Sequence, residues 1–177
     1  HDAGNAVWVT YFPGHEEPEP WLARLREEGY ELQAVGVDVS DYDSCRQCVD
    51  QLVNKEVEID ILINNAGITR DASLGKMSKD NWDAVLRTNL DSVFNMTGLL
   101  YGAMVKRGWG RVVSISSVNG SKGAYGQTNY SAAKAGIVGF TKALALEVAR
   151  KGVTVNAVSP GYLDTPMVSQ VPEDVLE

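Results

Sequence analysis

The 177-residue chain is long enough for one domain with a sizeable core, and its 44% hydrophobic and 22% charged residues are the proportions of a globular protein. Its formal net charge of -7 argues against a nucleic-acid partner, which would need a basic face. No apolar run approaches the ~20 residues that span a bilayer and no secretory signal is visible, so the expected protein is cytoplasmic, with no membrane partner.

The start, His1-Asp2-Ala3-Gly4-Asn5, has no initiator Met and suggests a missing beginning. Ala6 to Phe12 reads as a strand, followed by a Pro/Gly/Glu-rich turn and a helix from Trp21 to Glu28 that Gly29 ends. Glu31 to Val37 is a strand running into Asp38-Val39-Ser40, and Asp43 or Ser44 can cap the next helix. On that helix Cys45, Cys48, Val49, Leu52 and Val53 fall at helical spacing. The cysteines therefore read as small core residues. No second Cys or His cluster exists to complete a metal site.

Ile59 to Ile63 reads as a short buried strand ending in Asn64-Asn65-Ala66-Gly67. Ser78 and Asp80 open a long helix to about Arg107, with Trp82, Val85, Leu86, Leu90, Val93 and Phe94 as its apolar stripe and Asn89 inside that stripe. Arg111 to Ile115 is a strand ending in Ser116-Ser117, Gln127 to Arg150 a helix, and Val153 to Val158 a last strand ending in Ser159-Pro160-Gly161. The alternation of strands and helices predicts an α/β fold with a parallel sheet. Ligands of such sheets bind beyond the carboxyl ends of the strands, where these polar and glycine clusters lie.

Two residues stand out for chemistry. Tyr130 and Lys134 are one helical turn apart and share a face. An ammonium near a phenol favours the phenolate, so the spacing predicts a lowered Tyr130 pKa and a residue able to exchange a proton. Ser117 ends the neighbouring strand and could bond the same carbonyl oxygen. Taken singly, the Tyr/Lys pair is equally an ordinary surface pair, and Asn89 an ordinary core amide bonded to backbone.

Asn64-Asn65-Ala66-Gly67, Asn89, Ser117, Tyr130-Ser131-Ala132-Ala133-Lys134 and Pro160-Gly161 together resemble the short-chain dehydrogenase/reductase family in order and spacing, and Asp38-Val39 resembles its adenine-side motif. The resemblance implies a single Rossmann-like, doubly wound domain over 1–177. It also implies that the family's first strand, with its glycine-rich phosphate loop, and its C-terminal end are missing. It assigns Tyr130 as acid/base, Ser117 as the carbonyl-orienting group, Lys134 as ribose binder and modulator of Tyr130, and Asn89 as holder of a relay water. Asp38, Val39, Asn65, Ala66, Gly67, Ile68, Tyr130, Lys134, Pro160, Gly161 and Thr165 become cofactor residues.

Further segments are similar to the bacterial acetoacetyl-CoA reductases as a group: Ile68-Thr69-Arg70-Asp71, Trp109, Ser116-Ser117-Val118-Asn119-Gly120, Gly126-Gln127-Thr128-Asn129 and Tyr162. The 3-oxoacyl-carrier-protein reductases share the same core. This likeness implies an acyl-CoA thioester substrate contacted by Asp71, Ala124, Tyr125, Gln127 and Tyr162, and a homotetramer packed through the two long helices. Thr10-Tyr11-Phe12 lacks the acid that would select NAD, so NADP(H) is favoured and NAD(H) stays open. Glu16 and Glu17 stand where a basic residue would help NADP. A non-catalytic nucleotide-binding or interaction protein on the same fold is the contrasting class.

Overall fold

The computed structural model describes residues 4–14 and 17–161. These form two compact units, His1–Glu58 and Ile59–Glu177. Both are α/β with parallel strands.

In the first unit, strand β1 (Val7–Tyr11) pairs in parallel with β2 (Leu32–Gly36), and helix α1 (Glu19–Glu27) connects them. Pro20 falls in the first turn of α1, where its missing N–H has no helical partner to lose. Helix α2 (Tyr42–Asn54) buries Cys45, Cys48, Val49 and Leu52. Its N-cap is Asp41, not Asp43 or Ser44: the Asp41 carboxylate accepts from the Ser44 N–H at 2.9 Å. The Ser44 hydroxyl is used instead by the Asp38 N–H, 2.9 Å away. Val53 departs from the expected stripe and is exposed, since the helix stripe is narrower than five residues. Burial pushes the Cys45 thiol up to about 11 and the Cys48 thiol up as well, so neither is a ready thiolate.

In the second unit, β3 (Ile61–Asn64), β4 (Gly110–Ile115) and β5 (Val153–Val158) form a parallel sheet in that order. The β3-to-β4 crossover is one nearly continuous helical run: α3 (Lys79–Leu86), a π-helical turn (Arg87–Asp91) and α4 (Ser92–Arg107). Ser78 caps it by accepting from the Asn81 N–H. The β4-to-β5 crossover is α5 (Asn119–Lys122) followed by α6 (Thr128–Val148). Helix α4 packs on β3 and β4, and α6 on β4 and β5. Met96, Leu100, Met104, Val112, Ile137, Val148 and Val155 are the centre of the core.

Two expectations are corrected here. Ile61 and Ile63 of β3 are exposed rather than buried, because α4 packs on the face that carries Asn64, whose Nδ2 donates to the Thr97 hydroxyl at 3.1 Å, and the two isoleucines alternate to the other face. Phe94, expected in the apolar stripe, is 59% exposed. The buried face runs on across the π turn through Val85, Asn89, Val93, Met96, Leu100 and Met104, and Phe94 falls beside it. Ser92 and Thr97 are buried too.

Candidate active site

Polar side chains gather at the carboxyl ends of β3 and β4 and the start of α6. The π turn sets the first of them. It carries Asn89, which is 1% exposed, against the peptide of Ile68. Its Oδ1 accepts from the Ile68 N–H at 2.7 Å, and its Nδ2 donates to the Ile68 carbonyl at 2.9 Å. Both ends of a costly buried amide are thus satisfied by one residue's backbone. That clamp holds the Asn64–Ile68 turn. Gly67 lies so close that a Cβ there would stand 3.2 Å from the Asn89 Oδ1 and 3.7 Å from the Lys134 Nζ.

Lys134 is buried in α6 and donates from Nζ to the Ile115 carbonyl at the end of β4, 2.7 Å away. The Ser116 hydroxyl donates to the Lys134 carbonyl at 2.7 Å and ties the same two elements together. Gly120 lets α5 approach α6 closely: a Cβ there would meet the Lys134 carbonyl carbon at 2.8 Å. An ammonium has three protons to donate. With one on Ile115, Lys134 retains donors beside Gly67.

The Tyr130 and Ser117 hydroxyls are near neighbours. The Lys134 Nζ is 5.5 Å from its ring centroid. The expected fall in the Tyr130 pKa is corrected. Burial raises it, the Ser117 hydroxyl opposes that rise, and the negative charge of Asp71 adds to it. Lys134 does not compensate, because its own burial pulls its pKa down from 10.5 to about 8. By the pH at which the phenol would ionise, the amine has already lost its charge. Tyr130 is therefore a protonated phenol at neutral pH. Side by side, it and Ser117 can hydrogen-bond one carbonyl oxygen.

Around this pair runs a clasp between the loop after β3 and the start of α6. The Asn129 Nδ2 donates to the Arg70 carbonyl at 3.0 Å, the Gln127 Nε2 to the Asp71 Oδ2 at 2.7 Å, and the Ala72 N–H to the Gly126 carbonyl at 2.8 Å. Asn129 is fully buried, and its Oδ1 also accepts from the Tyr130 N–H at 2.8 Å. Sequence reasoning gives Ser116, Asn119 and Asn129 no role in the site. Their adjacency to Ser117 and Tyr130 in the sequence is the available signal.

The second unit thus brings together Asn89, Ser117, Tyr130, Lys134, Gly67, Ile68, Asp71 and Gln127. Asn65 and Ala66 are exposed just past β3. The Pro160 carbonyl accepts from the Val118 N–H at 3.0 Å, with Gly161 next in the chain. The Ala124 carbonyl accepts from the Gln127 N–H at 3.1 Å, and Tyr125 is 95% exposed. Asp38 and Val39 belong to the first unit, where the Asp38 Oδ1 accepts from the Ser40 N–H and hydroxyl at 2.9 and 2.7 Å. Tyr162 and Thr165 lie outside the described residues.

A parallel α/β fold with a Ser, a Tyr and a buried Lys converging at the strand ends defines a class that comparison with known proteins makes specific. Residues 1–176 match the family described as short chain dehydrogenase, and the chain belongs to that family of nicotinamide-dependent oxidoreductases. It is similar to nodulation protein G of Azospirillum brasilense, 51% identical over 172 residues, which are 97% of this chain and 70% of that protein. It is 53% identical to the acetoacetyl-CoA reductase of Cupriavidus necator over 165 residues, 93% of this chain and 67% of that protein. It is 47% identical to the 3-oxoacyl-[acyl-carrier-protein] reductase FabG of Thermotoga maritima over 141 residues, 80% of this chain and 57% of that protein.

Proposed function

We propose that the chain serves NADPH-dependent reduction of acetoacetyl-CoA to (R)-3-hydroxybutyryl-CoA, in the cytoplasm and in support of polyhydroxybutyrate synthesis. The supporting observation is the protonated Tyr130 beside Ser117, with Lys134 one turn along the same helix, in a chain with acetoacetyl-CoA reductases 53% and 48% identical to it.

A nicotinamide cofactor supplies the hydride when bound. The cleft beside Gly67 suits its ribose: a Cβ there would crowd the Asn89 amide and reach the Lys134 ammonium, which keeps donors for hydroxyls. In this reading Lys134 binds the ribose, Asn65, Ala66, Gly67 and Ile68 line the cofactor, Asp38 and Val39 flank the adenine, and Pro160, Gly161 and Thr165 complete the nicotinamide side. Ser117 donates a hydrogen bond to the substrate carbonyl oxygen and draws charge onto it. Tyr130 gives its phenolic proton to that oxygen as the alkoxide develops. Asn89 holds the turn that carries Gly67 and orders a relay water. Asp71, Ala124, Tyr125, Gln127 and Tyr162 contact the acyl-CoA arm, and four copies pack through α4 and α6.

The second reading is reduction of 3-oxoacyl chains on acyl-carrier protein, favoured by the likeness to the Thermotoga maritima enzyme. Following NADPH and NADH oxidation with acetoacetyl-CoA and with an acyl-carrier-protein thioester tests both. Preference for acetoacetyl-CoA with NADPH is expected. A strong preference for the carrier-protein thioester moves the assignment to the second reading.

A further inference from the structure

Tyr130 stands third in α6, and the helix itself does not hold its backbone there. The helical ladder opens one residue later, where the Ser131 N–H donates to the Gln127 carbonyl at 2.8 Å. The Tyr130 N–H is thus one of the first-turn donors that have no partner within a helix. Gln127, at the N-cap, gives no side-chain cap. Its amide is engaged by Asp71 and Asn119 instead. The partner of the Tyr130 N–H is the Asn129 side chain, whose Oδ1 accepts from it at 2.8 Å.

The opposite edge of that amide belongs to another part of the chain. The Asn129 Nδ2 donates to the Arg70 carbonyl at 3.0 Å, and it lies 3.4 Å from the Asn81 carbonyl and 3.5 Å from the Met77 sulfur. Asn129 is wholly buried. An N–H can only donate and a carbonyl can only accept, so these neighbours fix which edge of the amide faces which. One planar group therefore joins the loop after β3 and the start of α3 to the backbone of Tyr130. The phenolic hydroxyl lies at the far end of a rigid ring, so a small rotation of that backbone displaces it further than the backbone moves.

We propose that Asn129 is a positioning residue for Tyr130: it satisfies the open first turn of α6, ties it to the 70–81 segment and so keeps the Tyr130 hydroxyl beside Ser117. This rests on reading Tyr130 as the proton donor. Lys134, one turn further along, is held separately by its bonds to Ile115 and Ser116. Loss of the Asn129 amide therefore acts on proton transfer and spares the grip on the cofactor.

Asn129→Leu keeps the number and branching of the side-chain heavy atoms and removes every hydrogen bond. It is assayed in the full chain with NADPH and acetoacetyl-CoA. We expect kcat to fall about 100-fold, the order expected when a reacting group is misplaced by about an ångström. The KM for NADPH should stay within about 3-fold of wild type. Because Asn129 acts through Tyr130, the same substitution in a Tyr130→Phe background should change the residual kcat by less than about 3-fold. Amide hydrogen exchange followed by NMR supplies a second signature. The wild-type Tyr130 N–H should exchange as slowly as that of Ser131, and much faster than it in Asn129→Leu. A folded Asn129→Leu protein with near-normal kcat, an NADPH KM that rises in step with the loss of kcat, or losses of equal size in the two backgrounds overturns the proposal. Should the leucine variant not fold, wild-type exchange decides: a Tyr130 N–H that exchanges much faster than that of Ser131 overturns it. Absent turnover of acetoacetyl-CoA by wild-type protein would instead defeat the substrate reading, leaving the exchange comparison to decide the role of Asn129.

Discussion

The two ends of the β3-β4-β5 sheet are built on opposite terms. At the carboxyl ends, Lys134 and Asn89 are buried among peptide carbonyls and N–H groups, and the Asn119 Oδ1 has no partner. At the amino ends close packing is joined by arginine ties at the rim, the Arg107 Nη2 donating to the Ile59 carbonyl at 2.7 Å and the Arg111 Nη1 to the Gly152 carbonyl at 3.3 Å. Gly152, at φ +71, sits where a Cβ would lie 1.9 Å from the Gly108 carbonyl oxygen, and a Cβ on Gly110 would lie 2.6 Å from that of Met104. Arg111 covers the Trp109 ring at 4.4 Å. One end holds polar groups at some cost in stability, and the other supplies stability without chemistry. Substitutions should separate cleanly along that division.

The largest expected effect is at the carboxyl end. Tyr130→Phe removes the phenolic proton donor, and general acid catalysis is worth typically ~10²–10⁴-fold, so kcat should fall by that order. Cofactor affinity and melting temperature should hold. Steady-state kinetics with a parallel thermal melt check this, and near-normal turnover would remove Tyr130 from the reaction. At the amino end the opposite is expected. Gly152→Ala forces a methyl group against the Gly108 carbonyl in a backbone region that L residues avoid, a penalty of about 3 kcal/mol. Urea unfolding should show this loss, while folded protein keeps its kcat.

Lys134 sharpens the comparison, because there function and stability oppose each other in one side chain. Its pKa in the folded protein, about 8, lies below the usual 10.5, so folding disfavours its charged form. Above pH 10.5 the amine is neutral in both states and folding carries no penalty. As pH falls from 10.5 to 8 the unfolded chain takes up the proton first and stability is lost, to a total of about 3 kcal/mol that stays constant below pH 8. Lys134→Met should therefore abolish turnover yet gain stability at pH 7. That gain should shrink by about 2 kcal/mol at pH 10, measured by denaturant unfolding at both values. A gain that is independent of pH would show that the ammonium is not the penalised species.

The sequence carried the strand ends and the convergence of Ser117, Tyr130 and Lys134, because period and spacing encode which residues share a face. It did not carry the electrostatic outcome. Spacing places an ammonium near a phenol, but only the fold shows that the ammonium is buried and committed to Ile115, which reverses the predicted shift at Tyr130. The π turn was hidden for a related reason. A π turn leaves every residue of the helix compatible with a 3.6 repeat, so spacing alone does not reveal it. The Asp41 cap was missed because three polar residues close together, Asp41, Asp43 and Ser44, compete for one role, and the hydrogen bond of Ser44 to Asp38 decides it. The Asn119 Nδ2 hydrogen bond to the Gln127 Oε1 joins α5 to the turn into α6, a contact that no local pattern specifies.

The smallest expected effect concerns Tyr125, in the loop that leads into α6 and Tyr130. Among the described residues its ring is 95% exposed. It lies two residues before Gln127, whose side chain is fixed to Asp71 and Asn119, and one before Gly126, which at φ +77 makes the turn into α6. A large aromatic ring held at such a place without burial gains nothing for the fold. A ligand that covers it would let it shed apolar surface while its hydroxyl stays in water. Tyr125→Ala should therefore leave the melting temperature and kcat unchanged and raise the KM for acetoacetyl-CoA by about 3- to 10-fold, the order of 1 kcal/mol expected for a partly covered aromatic side chain. Kinetics should also be run with a truncated thioester that lacks the nucleotide end of CoA. An equal KM increase on both substrates would place the ring against the acyl end of the thioester. An increase on the CoA substrate alone would place it against the nucleotide arm, and unchanged KM values on both would remove Tyr125 from the substrate path.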